Sequence, residues 1–290
     1  MANTRQIKHR IDTTGNIAQI TRAMEMVSAS KMRKSQDRAL SARSYSQALK
    51  KSLNTLAQVV DPSLHPLLKE NKSGLDLAIV ITTDRGLCGN LNHSLLRNLT
   101  AWMKKHPQGQ VVAVGKKAIG FTKFYNITTH AEFTSIPDNV TASDIAPIGK
   151  IILEGYLAKK YKSVRVFFMD FINTLSQRTN SIQLLPLKSQ DIESEPLQTK
   201  KPSRNEYIFE PNAASILNDL LPYYVENVLF QTFLESKASE HSARMVTMKN
   251  ASENADELIA DLRLEFNKSR QSGITSELLD ITTAGLTLGT

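Results

Sequence analysis

Cysteine is almost absent: Cys88 stands alone, so no disulfide can form within the chain and a reducing compartment is expected. Long apolar runs are missing too. Nowhere do the roughly 18 apolar residues that a membrane helix needs follow one another, and the opening MANTRQIKHRIDTT has no apolar h-region. Neither a membrane span nor a standard secretion signal is therefore expected. The six histidines show no metal-ligand spacing. Proline is missing from residues 1–61 and again from 223–290, and within Thr4–Val60 and Val225–Thr283 the only glycines are Gly15 and Gly273. Two long segments thus lack helix breakers. Acids are scarce in the first 60 residues, where Asp12, Glu25 and Asp37 face eleven Lys and Arg; the resulting +8 equals the net charge of the whole 290-residue chain.

Both breaker-free segments carry an apolar or small-residue stripe spaced four, three, four, three. In the first it runs Ile7, Ile11, Thr14, Ala18, Thr21, Glu25, Ser28, Met32, Ser35, Ala39, Ala42, Ser46, Leu49, Leu53, Leu56, Val60. In the last it runs Leu234, Ala238, His241, Met245, Met248, Ser252, Ala255, Ile259, Leu262, Phe266, Ser269. Such length without internal caps predicts coiled-coil helices of roughly 85 Å each. Coming from opposite ends of one chain, they predict an intramolecular rod with a middle domain at one end. Pro62 and Pro66 are expected to stop the first helix, and Pro222 to begin the last. The seam from Ala18 to Ser46 is mostly small or polar, so it buries little area at roughly 25 cal/mol per Å². A thin hairpin of modest stability is one reading, and a rod sheathed by a partner is the other.

Charge is one-sided as well. The last segment, Pro222–Thr283, holds six basic and ten acidic residues, so the two helices attract and leave a positive surplus on the first. A solvated charge face accounts for any single Lys. The cluster Arg22, Lys31, Arg33, Lys34 and Arg38 points further, to an acidic partner or to nucleic acid. Against nucleic acid, the first helix has one aromatic, Tyr45, and no known nucleic-acid motif.

The middle, Leu75–Glu210, alternates strand and helix. Strands are predicted over Leu77–Thr82, Gln110–Val114, Ile127–Phe133 and Val164–Ile172, and helices over Ser94–Lys105, Lys116–Tyr125 and Ser143–Tyr161. A largely parallel sheet with helices on its faces follows. Ser189–Asn205 reads as an exposed loop. The loop Asp84–Asn92 lies between strand and helix, and Gly86 and Gly89 could admit a phosphate, yet neither GxGxxG nor GxxxxGK[ST] is present. A tight structural turn is the expectation. Cys88 is read as an inert thiol, His93 has no signature of a base, and His241 is read as a packed seam residue.

The segments ITRAMEMVSASKMRKSQ (Ile20–Gln36), DRGLCGNLN, FINTLSQR (Phe171–Arg178), YIFEP, LLPYYVENVLFQTFLESKASEHSARMVTMKNASENADELI and LRLEFNKSRQSGITSELLDI together resemble the gamma subunit family of F-type ATP synthases. The matches stand in the family's order over nearly the full length. The resemblance implies an α/β fold class, a long antiparallel coiled coil of the two terminal helices (1–61 and 211–290) plus a Rossmann-like α/β middle domain (75–210). It implies a non-catalytic central rotor, one copy per complex, with no cofactor and no nucleic acid. The implied partners are the alpha and beta subunits of the catalytic hexamer, the epsilon subunit and the membrane c-ring, at the cytoplasmic face of a bacterial inner membrane. Beta-subunit contacts are implied for Met24 and its neighbours Lys31, Arg33 and Lys34, and for Arg244, Arg270 and Gln271. Glu25 stands where many relatives carry Lys, and the tail ending GLTLGT departs from the family pattern. A basic coiled-coil nucleic-acid binder is the alternative, and a nucleotide-using enzyme built on the middle domain ranks third.

Overall fold

The computed structural model describes residues 2–57, 65–187, 210 and 212–288. Helix α1 spans Ala2–Ala57 and α5 spans Ala213–Leu288. Between them come β1 (Leu75–Ile81), α2 (Leu91–Lys105), β2 (Gln110–Val114), α3 (Lys116–Phe124), β3 (Thr129–Phe133), α4 (Ala142–Leu157), β4 (Tyr161–Phe171) and β5 (Gln177–Leu185). The expected end of the first helix near Val60 and Pro62, and the Ser189–Asn205 loop, lie outside the described residues. Contacts divide the chain into two compact units, Met1–Ser28 with Arg244–Thr290, and Ala29–Ala243.

Within each unit α1 and α5 run antiparallel. In the first, Thr4 meets Ser269 at 3.3 Å and Arg22 meets Asp256 at 2.7 Å. In the second, Ser46 donates to Asn227 at 2.6 Å and Tyr45 bonds Tyr223 at 2.9 Å. Every stripe residue from Ile7 to Leu56 and from Leu234 to Ser269 is buried or half-buried. Periodicity therefore located the inner faces of both helices correctly.

In the second unit the sheet order is β3-β2-β1-β4-β5, parallel except for the β4–β5 pair. The order 3-2-1-4 is that of the first four strands of a doubly wound α/β arrangement. Because successive strand residues point to opposite faces, β1 feeds two cores. Leu77, Ile79 and Ile81 join α4, the end of α1 (Leu49, Leu53, Leu56) and the start of α5 (Leu217, Leu221, Val225). Ala78 and Val80 pack with Leu91, Leu95 and Leu99 of α2 and Ala118 of α3.

Four expectations need correction. The last helix begins at Ala213, nine residues before Pro222, which lies inside it. Asn212 caps that start, its Oδ1 accepting the Ser215 N–H at 2.8 Å. Burial of Leu217, Leu221, Tyr224 and Val225 offsets the hydrogen bond the proline forgoes. Helix α4 ends at Leu157, not Tyr161, because Lys159 turns left-handed (φ 59°) and the Lys160 N–H bonds back to Gly155. Helix α2 starts at Leu91 rather than Ser94. Strand β5 was not expected; its residues QRTNSIQLL are mostly polar and only the last two are buried.

Candidate partner-binding surface

The unit built from Met1–Ser28 and Arg244–Thr290 mixes small and large side chains in its seam and leaves further large apolar ones outside. Ala18, Ser28, Ser252 and Ala255 are buried with Ile7, Met248 and Leu262. Outside, Ile20 is 60% exposed, Met26 63% and Leu264 70%, with Ile17, Val27, Leu278, Leu279 and Ile281 likewise turned to solvent. All of these lie off the stripe positions. Scattered exposed apolar residues are ordinary, but a run of them on two adjacent helices marks a surface made to be covered.

The charged candidates separate once their partners are known. Arg33, Lys34, Arg270 and Gln271 are exposed, and Met24 is half-buried. Lys31 is committed within the chain, its Nζ donating to Asp138 Oδ2 at 2.7 Å. Arg244 is only 7% exposed. Arg22 pairs with Asp256, but both side chains are more than half exposed, so the pair contributes no more than about 1 kcal/mol. A coat with several free cations can therefore meet an acidic surface through individually weak contacts.

The Asp84–Asn92 loop is held as a tight turn by its own side chains. Asn92 accepts the Thr83 N–H at 3.1 Å and donates to Thr83 Oγ1 at 2.8 Å and to Cys88 Sγ at 3.3 Å. Cys88 is 2% exposed, which suits an inert thiol rather than a nucleophile. His93 is exposed. Asp84 bonds the Lys116 N–H at the start of α3 (2.9 Å) and the Ser135 N–H (3.1 Å), so a carboxylate of this chain already occupies the helix end where an anion could be received. At the carboxyl ends of β1 and β2, where doubly wound sheets take ligands, Phe233, Ser236, Lys237 and Glu240 of α5 close the crevice. The gap left is about 20 Å³, room for one water.

Other ionisable clusters in this unit hold elements together. Asp76 joins Ser163 (2.5 Å) to His106 (2.7 Å), while Trp102 stacks on the His106 ring. Burial raises the Asp76 pKa, but the hydrogen bonds from Ser163 and His106 and the charges of His106 and Lys162 outweigh it and hold it below the ordinary value. The Ser163 hydroxyl donates to the carboxylate and not to the imidazole, so the arrangement differs from a nucleophilic triad. Arg43 of α1 donates to Glu235 of α5 (3.0 Å) and to the Phe171 carbonyl of β4 (3.2 Å). Burial raises the Glu235 pKa against the opposing pull of Gln231 and Arg43. Among the described residues no group of three or more His, Cys, Asp or Glu could hold a metal, and no helix is long and apolar enough to cross a membrane.

Two features escaped the sequence reading. The outward apolar residues could have been found by counting Ile and Met at positions off the stripe. Asp138 could not, since one acid after a proline in a polar loop carries no pattern.

The sequence model of the family described as ATP synthase matches residues 3–287. The ATP synthase gamma chain of Paracidovorax citrulli is 40% identical over 285 residues, covering 97% of this chain and 98% of the relative. That of Methylacidiphilum infernorum is 39% identical over 302 residues, with both chains fully covered. Among solved structures, a chain of the Euglena gracilis mitochondrial ATP synthase in an OSCP/F1/c-ring assembly has a TM-score of 0.67 at 20% identity, covering 99% of this chain and 95% of its own. A chain of the central stalk and c-ring of the Tetrahymena thermophila mitochondrial enzyme gives 0.59 at 23% identity, over 80% of this chain and 99% of its own. At those identities the structural likeness speaks for the fold.

Proposed function

Since this chain belongs to the ATP synthase gamma-chain family, we propose that it is the non-catalytic central-stalk subunit of a bacterial F-type ATP synthase, a rotor coupling proton flow to ATP synthesis at the beta subunits. Its partners are the alpha and beta subunits, the epsilon subunit and the c-ring, with one copy per complex at the cytoplasmic face of the inner membrane. Segments 1–61 and 211–290 serve as the shaft and 75–210 as the domain outside the ring. The observation that carries this reading is the helix pair whose seam holds several small side chains while Ile17, Ile20, Met26, Val27 and Leu264 stay outside. Large apolar residues left outside a seam with small members have no partner within the pair.

An asymmetric shaft in a threefold ring presents a different face to each beta subunit, and only differential contact energy can bias the three sites apart. Moving a site from mostly open to mostly closed takes about 5.5 kcal/mol, within reach of several contacts. Exposed cations contributing about 1 kcal/mol each suit a shaft that must leave every position. Direct contact is assigned to Met24, Arg33, Lys34, Arg270 and Gln271. Contact is proposed for Lys31 and Arg244 as well, the first with a side chain that also holds Asp138 and the second from a mostly buried position. Nothing in the family match favours the nucleic-acid alternative.

Co-expression with bacterial alpha and beta subunits tests the proposal. The expected product is an ATPase containing one copy of this chain per ring of three alpha and three beta subunits. A chain that elutes apart from the ring and binds DNA with steep salt dependence would overturn it.

A further inference from the structure

The segment between β3 and α4, residues 134–141, is an irregular stretch fixed at several points. The Ser135 N–H bonds Asp84, the Ile136 carbonyl accepts Lys237 Nζ at 3.1 Å, Val140 is buried, and Thr141 forms a capping box with Asp144. Asp138 therefore projects from a backbone with little freedom. Its carboxylate gathers cations from both long helices. Lys31 of α1 donates to Oδ2 at 2.7 Å, and His241 Nε2 and Lys237 Nζ of α5 lie 3.3 and 3.7 Å from Oδ1. Glu240 balances Lys237 at 3.8 Å. An isolated half-exposed pair would mean little, but a shared carboxylate whose partners include a 3% exposed imidazole and a 15% exposed ammonium forms a network.

We propose that Asp138 is a positioning residue that clamps α1 and α5 to the sheet-bearing domain, so that rotation of the domain is delivered to the helix pair without slack. The proposal rests on the rotor reading above. Lys31 is accordingly a foothold for this clamp. Burial raises the Asp138 pKa, but the Lys31 hydrogen bond and the charges of His241, Lys237 and Lys31 prevail and lower it, so the group is ionised at neutral pH. Arg43, with Glu235, Asp170 and the Phe171 carbonyl, forms a further polar tie between helices and sheet. Both polar ties act beside the apolar core that the ends of α1 and α5 share with the sheet, so loss of one loosens the domain without detaching it.

The test uses the assembled alpha, beta and gamma complex. A bead is attached to the domain through Leu175→Cys, at an 81% exposed turn, and its angular fluctuation is recorded while rotation is paused. Asp138→Asn is expected to raise the variance, and Asp138→Glu to restore it. Unchanged variance in Asp138→Asn, even with lowered thermal stability, overturns the clamp. Should Asp138→Asn fail to assemble, Lys31→Met decides: a smaller rise supports the clamp and no rise refutes it. A wild-type chain that never joins the ring refutes the rotor reading instead.

Discussion

Adding one methyl group at Gly115 should unfold the sheet-bearing unit far more easily, while the same change five residues on should stabilise it. Gly115 follows β2 with φ 91° and ψ 148°, backbone that side chains scarcely adopt. An added Cβ would overlap the Thr82 carbonyl oxygen and lie 2.8 Å from Thr82 C and 2.9 Å from its Oγ1. Thr82 cannot retreat. Its N–H and hydroxyl both bond the Val114 carbonyl, and its Oγ1 accepts the Ala118 N–H at 2.8 Å. Strain of about 1–3 kcal/mol and overpacking of about 1–3 kcal/mol give a loss near 4 kcal/mol for Gly115→Ala. Gly120 lies inside α3 with nothing within 4 Å of the added atom. There Gly→Ala should gain about 0.5–1 kcal/mol. Urea unfolding followed by the fluorescence of Trp102, the sole tryptophan, packed against His106 and Phe167, reports this unit. With a slope of about 2 kcal/mol per M, the midpoint should fall by about 2 M for Gly115→Ala and rise by about 0.3 M for Gly120→Ala. Midpoints that move together, or a fall below about 0.5 M at Gly115, would refute the packing argument.

Two further outcomes follow. Glu235 has a raised pKa in the folded chain, so its contribution is fully present below the ordinary value of 4.5 and is lost as pH rises through the folded value. Glu235→Gln, which can still accept from Arg43, should flatten the fall in urea midpoint above pH 4.5 relative to wild type; superimposable pH profiles would exclude it. Asn212→Ala removes the cap of α5 and should cost about 1 kcal/mol, appearing as faster hydrogen exchange confined to the first turn, whereas exchange unchanged at Ser215 would show the cap to be idle.

The parts of the fold that were legible in sequence share one physical cause, burial repeating at a fixed period. The four-three stripe marked both inner helix faces, and the apolar runs in β1, β2 and β4 marked the strands covered on both sides. Periodicity fails where burial is partial or tertiary contacts overrule local preference. Strand β5 is polar because it stands at the sheet's edge, and its pairing with β4 is set by the chain reversing at Asn173–Ser176. Pro222 was read as a helix start by local rule, yet the apolar residues either side of it carry the helix through. For the surface, charge pattern identified the exposed Arg33 and Lys34, but it could not tell them from Lys31, whose partner lies 107 residues away.

The polar edge strand also bears on the life of the chain before assembly. Until a partner covers it, the apolar coat on the two long helices stays exposed to water. An open sheet edge would add a second route to association, since unpaired strands template one another. Strand β5 ends the sheet order, and among the described residues nothing pairs with its outer side. Its Gln177, Arg178, Thr179, Asn180 and Ser181 keep that border polar, so this edge offers a neighbouring strand little apolar surface to add to its open hydrogen bonds.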